Sequence, residues 1–364
     1  MVMRTSYLPE DLLRDILLRL PVKHLVRLRL VCKSWSTLLK SRDFTTTRLN
    51  RSANHGGHLL VYRKRCTSHS LSLISVKALN VAVKIETPEK IGSPGKGMVV
   101  GSCNGLVCLY NGGRNITLWN PATGEDKILP PLGINPKSRA NLNSVGFGYH
   151  LNDYKVVRIL YSRGEPLDRP ASTQVEVYST STGCWRVFDA IVPCFINNLN
   201  SSVILKGVPY WIGHSYNTFR YTYRECVIYF DMGKEVFQQM HTPPDAEGSY
   251  KKLGVWNESL ALIRTQLVVS DCVDIWAMMK DDDGVDERWI KVTRINSPCP
   301  SFGMLLGCWG DGVLVWQNDH NYKLLVYDHN IKAVNKLSPD AGVDRTCSHI
   351  STCIFTYMES LVPL

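Results

Sequence analysis

Two hydrophobic rhythms divide the chain. Near the N-terminus, apolar side chains fall at Leu12, Leu13, Ile16, Leu17 and Leu20, the one-faced spacing of a helix. Pro9 suits the first turn of that helix, with Glu10 and Asp11 at the end where the dipole favours negative charge. Pro21 predicts its end. A second segment carries Leu25, Val26, Leu28, Leu30 and Val31, and Trp35, Leu38 and Leu39 continue it. Two or three short helices this apolar cannot cover their own faces. They need a partner surface, from the rest of the chain or from another protein.

From about residue 58 the helical period is lost. Short β-rich runs alternate with Gly, Asn, Asp and Pro. One pattern recurs: an apolar strand closing on an aromatic or apolar pair, a turn, then a second short strand. Its instances are Leu118-Trp119-Asn120, Val177-Tyr178-Ser179, Tyr229-Phe230-Asp231, Ile275-Trp276-Ala277 and Val326-Tyr327-Asp328. Their central residues are separated by 59, 52, 46 and 51 positions. Thr123-Gly124 and Thr182-Gly183 follow two of them as turn dipeptides. A further hairpin signal precedes each: Asn104-Gly105, Asn152-Asp153, Lys206-Gly207, Asn257-Glu258 and Asp311-Gly312. Two hairpins per repeat make a four-stranded unit, and a four-stranded unit with a period near 50 predicts a β-propeller blade. Five repeats are visible. Leu59–Tyr62, Leu71–Val76 and the closing run Ile350–Leu361 supply strands for a sixth. The competing architecture is a β-sandwich with irregular strands.

The expected fold is thus α+β and multidomain: a short all-α unit over residues 1–48, a linker at 49–57, and a mainly-β propeller-like domain over 58–364. It has about six blades and closes through the C-terminal strand.

Charge sharpens the division. The chain of 364 residues carries 42 Lys and Arg against 32 Asp and Glu, a formal net charge of +10. Residues 1–50 hold ten basic and four acidic side chains, and residues 51–100 hold eight and two. The remainder is slightly acidic, so two parts with different partners are expected. A helix-turn-helix reading draws on Arg27, Arg29, Lys33, Lys40 and Arg42. Against it, the apolar positions leave no polar recognition helix, and no stretch of base-stacking aromatics accompanies the basic residues. Nucleic acid is therefore the weaker expectation.

Composition excludes wholesale disorder, with 44% apolar and 20% charged residues. No run approaches the roughly 20 apolar residues of a membrane helix, and no signal pattern opens the chain. The expected setting is the cytosol, the nucleus or both, with no membrane partner. Twelve cysteines occur without a C-x-x-C, and Cys103/Cys108 and Cys347/Cys353 lack histidines at zinc spacing. Buried free thiols are expected, with no metal and no cofactor. Asp281-Asp282-Asp283-Gly284 lacks the downstream acid of a calcium loop and reads as a hairpin turn. No phosphate-binding glycine loop or nucleophile elbow is present, so no catalytic residue is assigned.

The N-terminal motif is specific. Leu8-Pro9-Glu10-Asp11-Leu12-Leu13, Ile16-Leu17, Leu20-Pro21-Val22, Leu25, Leu28 and Val31-Cys32-Lys33-Ser34-Trp35 fall in an order that resembles the F-box, over nearly all of residues 6–46. The remainder is similar to the associated, kelch-like domain of plant F-box proteins, through Gly101–Val107, Trp119–Gly124, Asn152–Val157 and Glu176–Ser179. Tyr357-Met358-Glu359-Ser360-Leu361 is similar to the C-terminal end of the S-locus F-box-like group.

The resemblance implies a non-catalytic substrate-receptor subunit of a cullin-based ubiquitin ligase. A Skp-type adaptor and its cullin complex would dock on the F-box, and the β domain would hold a target protein. The S-locus likeness implies a secreted stylar ribonuclease as the target, and with it a role in self-incompatibility. Leu8, Pro9, Leu12, Ile16, Leu20, Pro21, Leu25, Leu28, Val31 and Trp35 are the candidate adaptor contacts. Trp35 and Leu38 are equally placed to hold the helices to each other. For the target, loops on a rigid scaffold are expected: Gly133–Leu142, Arg163–Ser172, Tyr216–Arg224 and Asp281–Glu287. Within them, Tyr216, Phe219, Arg220, Tyr221, Tyr223 and Arg224 combine the aromatics and arginines typical of interface anchors. A plain β-strand with alternate side chains packed inside fits them as well.

Overall fold

The computed structural model describes residues 9–54, 57–64, 69–75, 82–86, 98–111, 115–131, 143–161, 171–196, 202–217, 222–243, 249–266, 272–280, 287–296, 303–310, 312–318, 322–337 and 351–364. Four helices come first: α1 (Glu10–Arg19), α2 (Val22–Leu28), α3 (Lys33–Lys40) and α4 (Arg42–Asn54). Pro9 is the N-cap of α1, and its carbonyl accepts the Leu13 N–H at 3.0 Å. Pro21 is the N-cap of α2, its carbonyl taking the N–H groups of His24 and Leu25. One proline therefore stops α1 and starts α2, since its fixed φ is compatible with a helix start and its missing N–H with a helix end.

Helix α4 departs from expectation. It runs through Asn54, across positions 49–54 assigned in sequence to a linker. Its start is set by Ser41, whose hydroxyl accepts the Phe44 N–H at 3.3 Å. Phe44 is fully buried against Leu17, Leu18, Val22, Leu25 and Leu39. The segment has little amphipathic periodicity, so its helicity follows from this cap and anchor more than from pattern.

The β region forms six sheets arranged as blades. Blade 1 comprises Met98–Cys103, Leu106–Tyr110, Ile116–Trp119 and Asp126–Ile128; blade 2 comprises Asn143–His150, Asp153–Leu160, Ala171–Ser179 and Cys184–Val192. In blade 3 the innermost strand is split into Phe195–Ile196 and Val203–Leu205, both paired with Val208–Asn217, followed by Thr222–Asp231 and Val236–His241. Blade 4 holds Ser249–Trp256, Ser259–Gln266, Cys272–Lys280 and Glu287–Asn296; blade 5 holds Met304–Trp309, Val313–Gln317, Leu324–Asp328 and Ala333–Leu337. Blade 6 joins both ends of the domain: Ser351–Tyr357 pairs antiparallel with His58–Lys64, from His58 opposite Tyr357 to Lys64 opposite Ser351. His69–Ser75 and Ala82–Ile85 complete it.

Six apolar clusters fill the six interfaces between neighbouring blades, from Phe147, Val156 and Leu118 between blades 1 and 2 to Val107, Leu60 and Phe355 between blades 6 and 1. A sandwich would have one core between two sheets. Clusters distributed around a ring define a closed propeller. They also explain the apolar runs: Leu106–Tyr110 and Val313–Gln317 are buried at every position because both faces of the blade are covered. The outermost Cys184–Val192 is largely exposed.

The inner hairpin signals are turns in the left-handed region: Asn104 and Gly105 have φ of 51° and 82°, Lys206 and Gly207 of 50° and 82°, Asn257 and Glu258 of 44° and 59°. In blade 2 the turn residues are Leu151 and Asn152, one place earlier than the Asn152-Asp153 pair predicted in sequence. The last residue of the recurring pattern closes the outer hairpin. Asn120 Oδ1 accepts the N–H of Ala122 at 3.0 Å, Asp231 takes those of Gly233 and Lys234 at 2.9 Å, and Asp328 takes that of Asn330 at 2.9 Å. Blade 4 differs. Ile275-Trp276-Ala277 sits inside the strand, which continues to Lys280, and the register shifts between Ile275 and Trp276. The acidic run 281–284 lies outside the described residues.

Cysteine burial is mixed. Cys103, Cys108 and Cys308 are buried and free, Cys272 is buried too, and burial pushes the Cys103 thiol up to about 12. Cys32 and Cys184 are exposed, contrary to expectation. Cys194 and Cys226 stand sulfur to sulfur in the core between blades 2 and 3.

Candidate functional site

Because successive strands of a blade are antiparallel, its 1–2 and 3–4 turns lie at one face of the ring. Its 2–3 hairpins and the blade-to-blade connections lie at the other. The helices sit on the first face, over blade 1, and the C-terminal residues hold them there. Leu361 is buried in the apolar core of the helices, and Ala122 of the blade 1 outer turn packs on the same core. Asn120, itself fully buried, donates from Nδ2 to the carbonyls of Ser360 at 3.1 Å and Val362 at 2.9 Å. Arg29 donates to the Leu361 carbonyl at 3.1 Å and pairs with Glu125 at 3.5 Å. Burial lowers the Arg29 pKa and the Glu125 charge counters that, so the guanidinium is held inside the junction. Gly105 lets the chain pass: with φ +82° it has no side chain where a Cβ would run into Ser360 and the Met358 carbonyl.

No local pattern in the sequence announces this junction. Trp119–Gly124 and Tyr357–Leu361 both stand out in sequence, but their contact spans some 240 positions. It also revises the basic set offered for nucleic acid. Arg29 is spent inside the protein, and Lys40 and Arg42 face a cleft against the propeller.

The apolar residues proposed for an adaptor divide by burial. Leu12 and Ile16, one helical turn apart on α1, are 57% and 50% exposed, and Val31 after α2 is 61% exposed. Pro9 and Pro21 are exposed as well. Leu25 is a correction: at 0% exposure it belongs to the core of the helices and offers nothing to a partner. Leu20, Leu28 and Trp35 are half-buried against that core, so they mainly hold the helices together. Leu8 lies outside the described residues. Leu30, absent from the adaptor set, is the most exposed large apolar side chain among the described residues, at 87%. Helix α2 ends at Leu28, and the Leu30 N–H bonds to the Arg27 carbonyl in a tight turn that carries Leu30 outward. The adjacent Cys32 thiol is held below its usual range, chiefly by a hydrogen bond with Ser34 at 3.1 Å.

The segments proposed for a target divide by face. Tyr216–Arg224 spans a 2–3 hairpin of blade 3, where Tyr216 pairs with Tyr223 and Ser215 with Arg224. Phe219, Arg220 and Tyr221 lie outside the described residues. Residues 163–172 span a 2–3 connection of blade 2, and 133–142 the connection from blade 1 to blade 2. The strand ends bounding all three lie at the face away from the helices. The strand ends bounding 281–287 lie at the helical face.

The arrangement defines a class: a closed six-bladed β-propeller with a helical module fixed to one face. The chain belongs to the family of F-box proteins with an associated propeller: the description "F-box associated beta propeller domain" matches residues 63–364, and "F-box domain" matches residues 6–47. It is similar to an F-box/kelch-repeat protein of Arabidopsis thaliana, 27% identical, over 82% of this chain and 79% of the relative. It is also similar to the F-box protein CPR1 of Arabidopsis thaliana, 27% identical, over 80% and 73%. A third Arabidopsis F-box/kelch-repeat protein aligns over 98% of both chains at 25% identity.

Proposed function

We propose that this F-box protein is the substrate receptor of a cullin-based ubiquitin ligase, binding a Skp-type adaptor through its helices and a target protein through its propeller. One observation carries the reading. Leu12, Ile16, Leu30 and Val31 are uncovered apolar side chains on a helical module already joined to the propeller by its own tail. The surface that helices this apolar must share with a partner is thus divided: Leu361 covers one part, and the exposed residues remain for another protein.

The chain itself performs no chemistry in this reading. It holds a target's lysines close to a ubiquitin carrier, raising their effective concentration. The face away from the F-box, bearing Tyr216–Arg224 and the segments 133–142 and 163–172, is the proposed target surface. The setting is cytosolic, nuclear or both. A role in self-incompatibility is the narrower form of this reading and rests on the C-terminal likeness to the S-locus group alone.

Co-purification with a Skp-type adaptor tests the reading. Leu12→Asp with Leu30→Asp should abolish complex formation while leaving the melting temperature of the full chain unchanged. Undiminished adaptor binding by this variant would refute the assignment.

A further inference from the structure

A cleft of about 850 Å³ opens where the F-box, the propeller and the C-terminal tail meet. Its walls come from the end of α3, α4 between Arg42 and Asn50, the inner turns of blades 1, 2 and 3, the outer strands of blade 1 at Leu118 and Lys127, Thr180 of blade 2, and the tail from Met358. Lys40, Arg42, Lys127 and Lys206 line it, and no Asp or Glu side chain does. Among the described residues these four cations form no ion pair with an acidic side chain. That sets them apart from Lys155, Lys251 and Lys291, which are paired with carboxylates elsewhere in the propeller.

The remaining walls are mixed. Leu49, Leu106, Ile204 and Val362 supply apolar surface. Tyr149 donates to Asn152 Oδ1 at 2.7 Å, which leaves the Asn152 amide N–H groups for an acceptor. The volume falls in the range of about 300–1,000 Å³ typical of small-molecule sites. A concave site whose charged side chains are all of one sign concentrates ligands of the opposite sign.

We infer that this cleft binds a small organic anion, an apolar body bearing a phosphate or similar acidic group. The four cations take the acidic group and the apolar wall takes the body. Because the walls belong to both domains and the tail, the occupant would also brace the F-box on the propeller, stabilising the folded arrangement by mass action. The inference is independent of the adaptor reading, since neither Leu12 nor Leu30 lines the cleft.

Calorimetric titration of the full chain tests it, using 1-naphthyl phosphate, 1-naphthol and inorganic phosphate as probes. Naphthyl phosphate should bind at least tenfold more tightly than either fragment, and its affinity should fall as salt rises. Arg42→Gln with Lys206→Gln should weaken it at least tenfold, and Lys332→Gln on the outer turn of blade 5 should not. Four results overturn the inference: no binding at millimolar concentration, equal affinity in the Arg42/Lys206 variant, inorganic phosphate binding as tightly as naphthyl phosphate, or binding by the free chain that adaptor abolishes. The last would make the cleft a seat for protein.

Discussion

Asn120 and Ser360 are joined by a hydrogen bond of 3.1 Å in a buried site, linking the outer turn of blade 1 to a tail 240 positions later. The same amide group reaches the Val362 carbonyl, while its oxygen holds the turn that begins at Ala122. One side chain therefore shapes a hairpin and seats the segment that fills the F-box core.

Asn120→Ala should cost on the order of 2–4 kcal/mol, since the buried carbonyls of Ser360 and Val362 lose this donor together. Urea denaturation of the full chain measures it. Hydrogen exchange should show α1 to α3 losing protection before the distant blade 4, because the damage is at the junction.

Leu361→Ala removes a side chain buried among Leu17, Leu25 and Phe44 and should cost about 2–5 kcal/mol, the range for a core leucine. Limited proteolysis should then cut within the F-box while the propeller survives. Adaptor affinity should fall too, although Leu361 lies away from Leu12 and Ile16 in the assembled helices, being buried where they are exposed.

Arg158 and Glu176 are fully buried, face each other across adjacent strands of blade 2, and form an ion pair at 2.6 Å. Glu176→Ala removes the carboxylate from beside a buried guanidinium and should cost about 3–5 kcal/mol by denaturant unfolding. The double variant Arg158→Met, Glu176→Leu should recover much of that loss, because neither charge then remains to be desolvated.

Asp274 in blade 4 accepts hydrogen bonds from Arg294 at 2.7 and 2.8 Å and pairs with Lys291. The Arg294 bonds, with Lys291, hold its carboxyl down at about 2. A depressed folded-state pKa stabilises above the ordinary carboxylate value and loses that contribution as pH falls through about 4 towards 2. Melting temperatures at pH 6, 4 and 2 should converge between the parent and Asp274→Asn at the acid end, and differ most at pH 6.

Much of the propeller is legible in local pattern. Asn104-Gly105 and Lys206-Gly207 announce their turns because few residues tolerate a left-handed backbone. The period near 50 follows from one blade being one repeat. Where a local feature was displaced, as at Trp276, the register shift that moved it depends on the partner strand and has no signature in the residues themselves. The docking surface was only partly legible. Leu25 and Leu30 look alike in a helical pattern, yet one is sealed and the other bare, because the helix stops between them and the chain turns.

The order of residues by itself determined the turns, the blade repeat, the two helix-starting prolines and the excess of apolar surface near the N-terminus. Each depends on backbone sterics or on periodicity within a few neighbours. Only the tertiary structure decided which part of that apolar surface stays open, and that Leu361 closes the rest. Burial belongs to surfaces brought together, and here they come from opposite ends of the chain.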